Sequence, residues 1–285
     1  MMQTRRTVLA TGLAGTWCLT GSAGAAVLRP RRIVSLNPCI DATLVHVADR
    51  DQIAALSHYS RVRQQSNIYD IALTLPQTRG TAEEVIARNP DLVLAGNYGG
   101  AATLNALSRR GIPSALFGVP NTIEESLAQV RDISNRVGQA NRGERLIANI
   151  TQAISSSQPT SGRRFKALIY QPNGFAAGQG TLISEMMNHA GFDNMAGRYK
   201  VGKWGNIPLE RILADPPEVL LSSQSGPAAK TWGERMMQHP ALTALSDRMV
   251  QVSFDEKLLY CGGPVLIKTA SALKQARHQA LEMLS

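Results

Sequence analysis

Between Val119 and Gln158 apolar residues return every three or four positions. Ile123, Leu127, Val130, Ile133 and Val137 fall on one face of a helix. Thr122 opens that run with Glu125 three residues on, a capping-box start, and Gly138 closes it. Leu146, Ile147, Ile150 and Ile154 then line one face of a second helix, which stops in the Ser/Pro/Gly cluster from Ser155 to Gly162. At a rise of ~1.5 Å per residue, a helix over Ala140–Ser157 is about 27 Å long, enough to cross between two domains.

The two flanks of this helix resemble each other. Residues 83–94 read Glu-Glu-Val-Ile-Ala-Arg-Asn-Pro-Asp-Leu-Val-Leu, and residues 210–221 read Glu-Arg-Ile-Leu-Ala-Asp-Pro-Pro-Glu-Val-Leu-Leu. Each gives a Glu, an apolar pair, a Pro seven residues after the Glu, an acid and a strand-like run. Each half also opens on a basic residue and a short apolar run ending at Pro, Arg32 to Pro38 and Lys166 to Pro172. Short apolar runs at 33–36, 52–57, 91–95 and 113–117, and again at 167–170, 219–221 and 249–254, alternate with helical patterns. That alternation predicts parallel sheets in an α/β fold. The reading is two Rossmann-like lobes, 26–138 and 161–285, joined by one long helix over 139–160, with a ligand cleft between them. The polar segment 194–206 is assigned no strand, and helices are expected over 232–238 and 265–284.

The N-terminus changes the picture. Arg5-Arg6 precedes an apolar stretch from Val8 to Leu19 and then Ala23-Gly24-Ala25, the layout of a cleaved signal peptide over residues 1–25. The paired arginines suggest the twin-arginine route. Trp17 before Cys18 stands where a lipoprotein signal needs a small residue, so a free periplasmic protein without a membrane anchor is expected, and a monomer. Removing the segment takes Arg5 and Arg6 and no acid, lowering the net charge from +9 to +7. The basic residues are scattered without a polybasic block, which argues against nucleic acid and for a partly basic cleft with an acidic ligand. Cys39 and Cys261 remain, one per lobe. In an oxidising compartment they either form a bridge or serve as two small buried apolar residues.

Enzyme motifs are missing. The chain has no Gly-x-Ser-x-Gly, Gly-Lys-Ser/Thr, His-Glu-x-x-His or Cys-x-x-Cys. His46, His58, His189, His239 and His278 are scattered without ligand spacing, so no resident metal or cofactor is expected. His58, beside Tyr59, is the one placed to reach the metal of a bound ligand.

Taken in order, Arg-Ile-Val-Ser-Leu-Asn-Pro at 32–38, the run 83–94, the break from Gly138 to Glu144, the run 209–221 and Cys-Gly-Gly-Pro at 261–264 resemble the class III periplasmic substrate-binding proteins of ABC importers. The resemblance covers Arg31 to Ser285. It implies a bilobal fold bridged by one helix, with cobalamin or another corrinoid, a ferric siderophore or haem bound between the lobes. It also implies one surface Glu per lobe, here Glu83 and Glu210, docking on arginines of the importer's membrane subunits. Glu84 is read as serving its own helix start. Strand-end loops supply the cleft candidates. In the first lobe they are Asn37, Cys39, Tyr59, Arg61, Arg79, Asn97 and Tyr98. In the second they are Gln171, Asn173, Trp204, Gln224, Tyr260 and Cys261. Aromatic rings would stack on a flat chelate and the arginines and amides would meet its polar arms. The enzyme alternative is a tetrapyrrole metal chelatase of similar bilobal fold, against which the export segment argues.

Overall fold

The computed structural model describes residues 29–98, 100–160, 162–223 and 239–284. The expected signal segment, Gln224 and the helix expected over 232–238 lie outside them. The first lobe runs β1 (Ile33–Ser35), α1 (Pro38–Val47), β2 (Ile53–Ser57), α2 (Tyr69–Leu73), β3 (Gln77–Thr78), α3 (Ala82–Ala87), β4 (Leu92–Gly96), α4 (Ala101–Arg109) and β5 (Ser114–Phe117). Its strands form one parallel sheet in the order β3-β2-β1-β4-β5. Central β1 is buried along its whole length, as expected for a strand covered on both faces.

Two helices follow, α5 (Ile123–Arg136) and α6 (Ala140–Ser157). The second lobe then runs β6 (Phe165–Ile169), β7 (Phe175–Ala177), α7 (Leu182–His189), β8 (Phe192–Asn194), β9 (Trp204–Asn206), α8 (Leu209–Ala214), β10 (Val219–Ser222), α9 (Pro240–Thr243), β11 (Val250–Ser253) and α10 (Val265–Leu284). Its parallel sheet has the order β11-β10-β6-β8. An antiparallel pair, β7 with β9, stands beside it. The segment read as polar loop thus contains a short 3-10 turn at 195–199 and the edge-like strand β9. Trp-Gly-Asn has no alternation to announce a strand; pairing with β7 creates it.

Thr122 caps α5 by accepting a hydrogen bond from the Glu125 backbone amide at 3.0 Å. The apolar face of α6 buries Leu146, Ile147, Ile150 and Ile154, each worth roughly 1.5–3 kcal/mol when removed from water. The three-residue link through Gly138 folds α5 back along α6. α5 touches both lobes. Near its start the Ile123 amide donates to Glu185 of α7 at 2.7 Å; beyond its end Gln52 donates to the Val137 carbonyl at 3.1 Å. α10 packs on the far side of α6. One apolar core therefore continues from the first sheet through these helices into the second lobe.

The loop before α10 closes the spine. The Gly263 amide donates to Ser126 Oγ of α5 at 2.7 Å. Gly263 has φ +62°, and a Cβ there would stand 2.7 Å from Thr43 Oγ1 of α1 and 3.4 Å from Val130 Cγ2 of α5. A Cβ on Gly262 would strike Ser126 Oγ. Only glycines let this loop lie so close.

Candidate functional site in the cleft between the lobes

Three adjoining cavities meet at Tyr260. One, about 490 Å³, is lined by Tyr59, Gln64 and Gln65 of the first lobe and by Glu256 and Tyr260 of the second. A second, about 200 Å³, lies between the loop 119–121, the start of α7 and Trp204. The third, about 50 Å³, reaches Asn37, Tyr98 and the loop 117–120. All three share Tyr260, and each includes one or both of Cys39 and Cys261. A volume of this order suits a small-molecule site.

Local rules place the lining. Asn37 leaves β1 and caps α1, its Oδ1 accepting from the amides of Cys39 at 2.8 Å and Ile40 at 3.3 Å. Cys39, now in the first turn, is bonded to Cys261, so the pair left open by composition is a disulfide joining the lobes at the cleft. Tyr59 rides on the 3-10 turn 58–61 after β2, its ring 4.0 Å from that of His58. That turn is pinned from below by Asp41. Its buried Oδ2 accepts from the Ser57 amide at 2.9 Å and the Ser60 hydroxyl at 2.6 Å. Burial pushes the Asp41 carboxyl up to about 7, against the pull of hydrogen bonds from Ser35, Ser60 and Ser57. Trp204, on β9, stacks on Phe175 at 5.4 Å and an interplanar angle of 5°. Tyr260 donates its hydroxyl proton to Glu256 Oε1. Burial, with that carboxylate's hydrogen bond and charge, pushes the phenol pKa well up, so it stays protonated.

Of the sequence candidates, Asn37, Cys39, Tyr59, Tyr98, Trp204, Tyr260 and Cys261 line this cleft. Five others do not line it. Arg61 turns its guanidinium to the carbonyls of Ala72 and Leu75, at 3.1 and 2.6 Å, and so fastens the end of α2. Arg79 is exposed at the end of β3. Asn97 is exposed on the first-lobe loop after β4. Gln171 is buried, and Asn173 is exposed with φ +64°. Sequence reasoning passed over Gln64, Gln65, Glu256, the start of α7 and the loop 117–120. The last follows β5, so the strand-end rule that supplied the others would have found it. Among the described residues no group of three or more His, Cys, Asp or Glu side chains could hold a metal ion.

Glu83 and Glu210 are exposed in the first turns of α3 and α8. Glu84 instead accepts from Thr78 Oγ1 at 2.9 Å and the Arg79 amide at 2.6 Å. Among the described residues no helix is long and apolar enough to cross a membrane.

Known proteins share this architecture. The periplasmic heme-binding protein of Roseiflexus sp. RS-1, in apo form, superposes with a TM-score of 0.69 over 88% of this chain and 98% of its own, at 23% identity. The periplasmic vitamin B12-binding protein of Vibrio cholerae gives 0.66 over 89% and 98%, at 18% identity. At these identities the likeness is one of fold. In sequence, a cobalamin-binding protein of Halobacterium salinarum is 24% identical over 201 residues, 69% of this chain and 54% of that protein. The chain spans about half the length of the curated relatives it matches. The family model described as periplasmic binding protein matches residues 33–247, within which the first sheet, the α5–α6 spine and all of the second sheet except β11 fall; the chain belongs to that family.

Proposed function

We propose that this chain is the substrate-binding protein of an ABC importer, and that it captures a metal chelate in the periplasm without turnover. The ligand is a corrinoid, a ferric siderophore or haem. One observation carries the reading. Tyr59 and Tyr98 from one lobe, and Trp204 and Tyr260 from the other, remain at least 40% exposed although they are large aromatics, and all four line the cleft. Exposed rings gathered around one cleft suit a flat, partly apolar guest. The related proteins whose names mention heme, vitamin B12, cobalamin and Fe3+-hydroxamate support the same ligand class. Exposed Glu83 and Glu210, one on each lobe, are the docking pair for the importer.

Calorimetric titration with cyanocobalamin, a ferric siderophore and haemin tests the first part. One of them should bind saturably at one per chain, and Trp204→Ala should weaken it about tenfold or more. Glu83→Ala with Glu210→Ala should leave that affinity within about twofold and abolish uptake in cells. Conversion of a porphyrin and a metal to product by the pure chain would replace the carrier reading with the chelatase one.

A further inference from the structure

The widest part of the cleft carries a carboxylate. Glu256 heads the short turn 256–258 and lines the 490 Å³ recess opposite Tyr59, Gln64 and Gln65. Its Oε1 accepts the Tyr260 hydroxyl, which is a neutral donor. The neighbouring acid, Asp255, is matched by Lys257 Nζ at 2.9 Å; among the described residues Glu256 has no such cation. Among the described residues the rest of the polar lining is uncharged, including the amides of Gln64 and Gln65 with the Tyr59 hydroxyl here, and Asn37, Asn121, Tyr98 and Thr181 in the adjoining cavities. Arg61, placed by its sequence among the candidates for an acidic ligand, is committed to backbone carbonyls of α2 and its exit. The net charge of the chain is positive, yet this stretch of its cleft is acidic and amide-rich.

A carboxylate without a cation on a partly desolvated wall repels anions and accepts hydrogen bonds from N–H donors. For like unit charges about 6 Å apart at an effective dielectric constant of about 20, the repulsion corresponds to roughly a hundredfold in affinity. Glutamine amides can both donate to and accept from amide or hydroxamate groups. We infer that the cleft selects metal chelates without net negative charge and fringed by amide or hydroxamate groups, and that Glu256 is the residue that sets this choice. The inference rests on the carrier reading above and narrows it. An amide-armed corrinoid or a neutral ferric trihydroxamate fits. Haem with its two propionates and a trianionic ferric catecholate do not.

The test titrates the full chain with cyanocobalamin, a ferric trihydroxamate, haemin and a ferric tricatecholate at pH 7.5 and fixed salt. One of the two neutral chelates should bind at least tenfold tighter than either anion. Glu256→Gln should tighten binding of the anions about tenfold or more and so shrink the preference for the neutral chelate by at least that factor. Tyr260→Phe removes the hydrogen bond and keeps the charge, so it should preserve the discrimination; this separates the carboxylate's charge from its hold on Tyr260. Anions binding as tightly as the neutral chelates, or Glu256→Gln leaving the ratio unchanged, would overturn the inference and leave the carrier standing. Binding of none of the four would overturn the carrier reading itself and this selection with it.

Discussion

Asp41 shows how far a single buried group can reach. It sits in α1, two residues after the disulfide cysteine, and holds the turn that presents Tyr59. Its carboxyl titrates near 7 in the folded chain against 3.8 ordinarily, so the folded chain binds the proton more tightly than the unfolded one. Stability should therefore fall as pH rises from about 4 to about 7, by up to about 1.4 kcal/mol per pH unit from this group. Asp49, Glu84 and Glu144 have carboxyls held low by their hydrogen-bond partners and act at the acid side of that window. Asp41→Asn keeps the shape and the acceptor oxygen, and should flatten the slope. Urea unfolding of both forms at pH 5 and pH 8 checks this; equal pH dependence in the two would remove the assignment. In the sequence Asp41 reads as an ordinary helix-start acid, because burial is a property of what packs over it.

At the scale of elements, the helices announced themselves and the edges did not. Apolar spacing placed α6 at its observed bounds, the Thr122 cap placed the start of α5, and the β-branched and leucine-rich runs placed β1, β2, β4, β5 and β10 within a residue or two. A central parallel strand is apolar on both faces, which is visible locally. β7 and β9 are three residues each and exist through their mutual pairing, so nothing local marks them. The loop 261–264 is where element meets element. Gly263→Ala would place a methyl against Thr43 and Val130 in a left-handed backbone conformation. A loss of about 1–3 kcal/mol is expected, from overpacking and backbone strain together. Chemical denaturation measures it, and a loss below about 0.5 kcal/mol would show that the spine tolerates looser packing than the contacts imply.

For the whole molecule, the two lobes are joined on two sides of the cleft: by the α5–α6–α10 spine behind it, and by the Cys39–Cys261 bond at its wall. Asn67 adds a hydrogen bond to the Lys257 carbonyl at 2.9 Å across the same gap. The disulfide spans 222 residues of sequence, so its loss should cost about 2–5 kcal/mol through the unfolded chain. Cys39→Ser with Cys261→Ser should show that loss on denaturation, together with faster hydrogen exchange at 256–263; unchanged exchange there would mean the spine alone fixes the lobes. Periodicity, capping and the internal likeness of residues 83–94 and 210–221 were enough to determine a two-lobed α/β chain with a helical connector, because each is a local relation along the backbone. Which strand-end residues share one cavity, that Arg61 faces away while Glu256 faces in, and that two cysteines 222 residues apart are bonded, were decided by the tertiary structure alone. Those facts depend on the angle at which the lobes meet, and that angle is set by the packing of α5, α6 and α10, which no stretch of sequence encodes by itself.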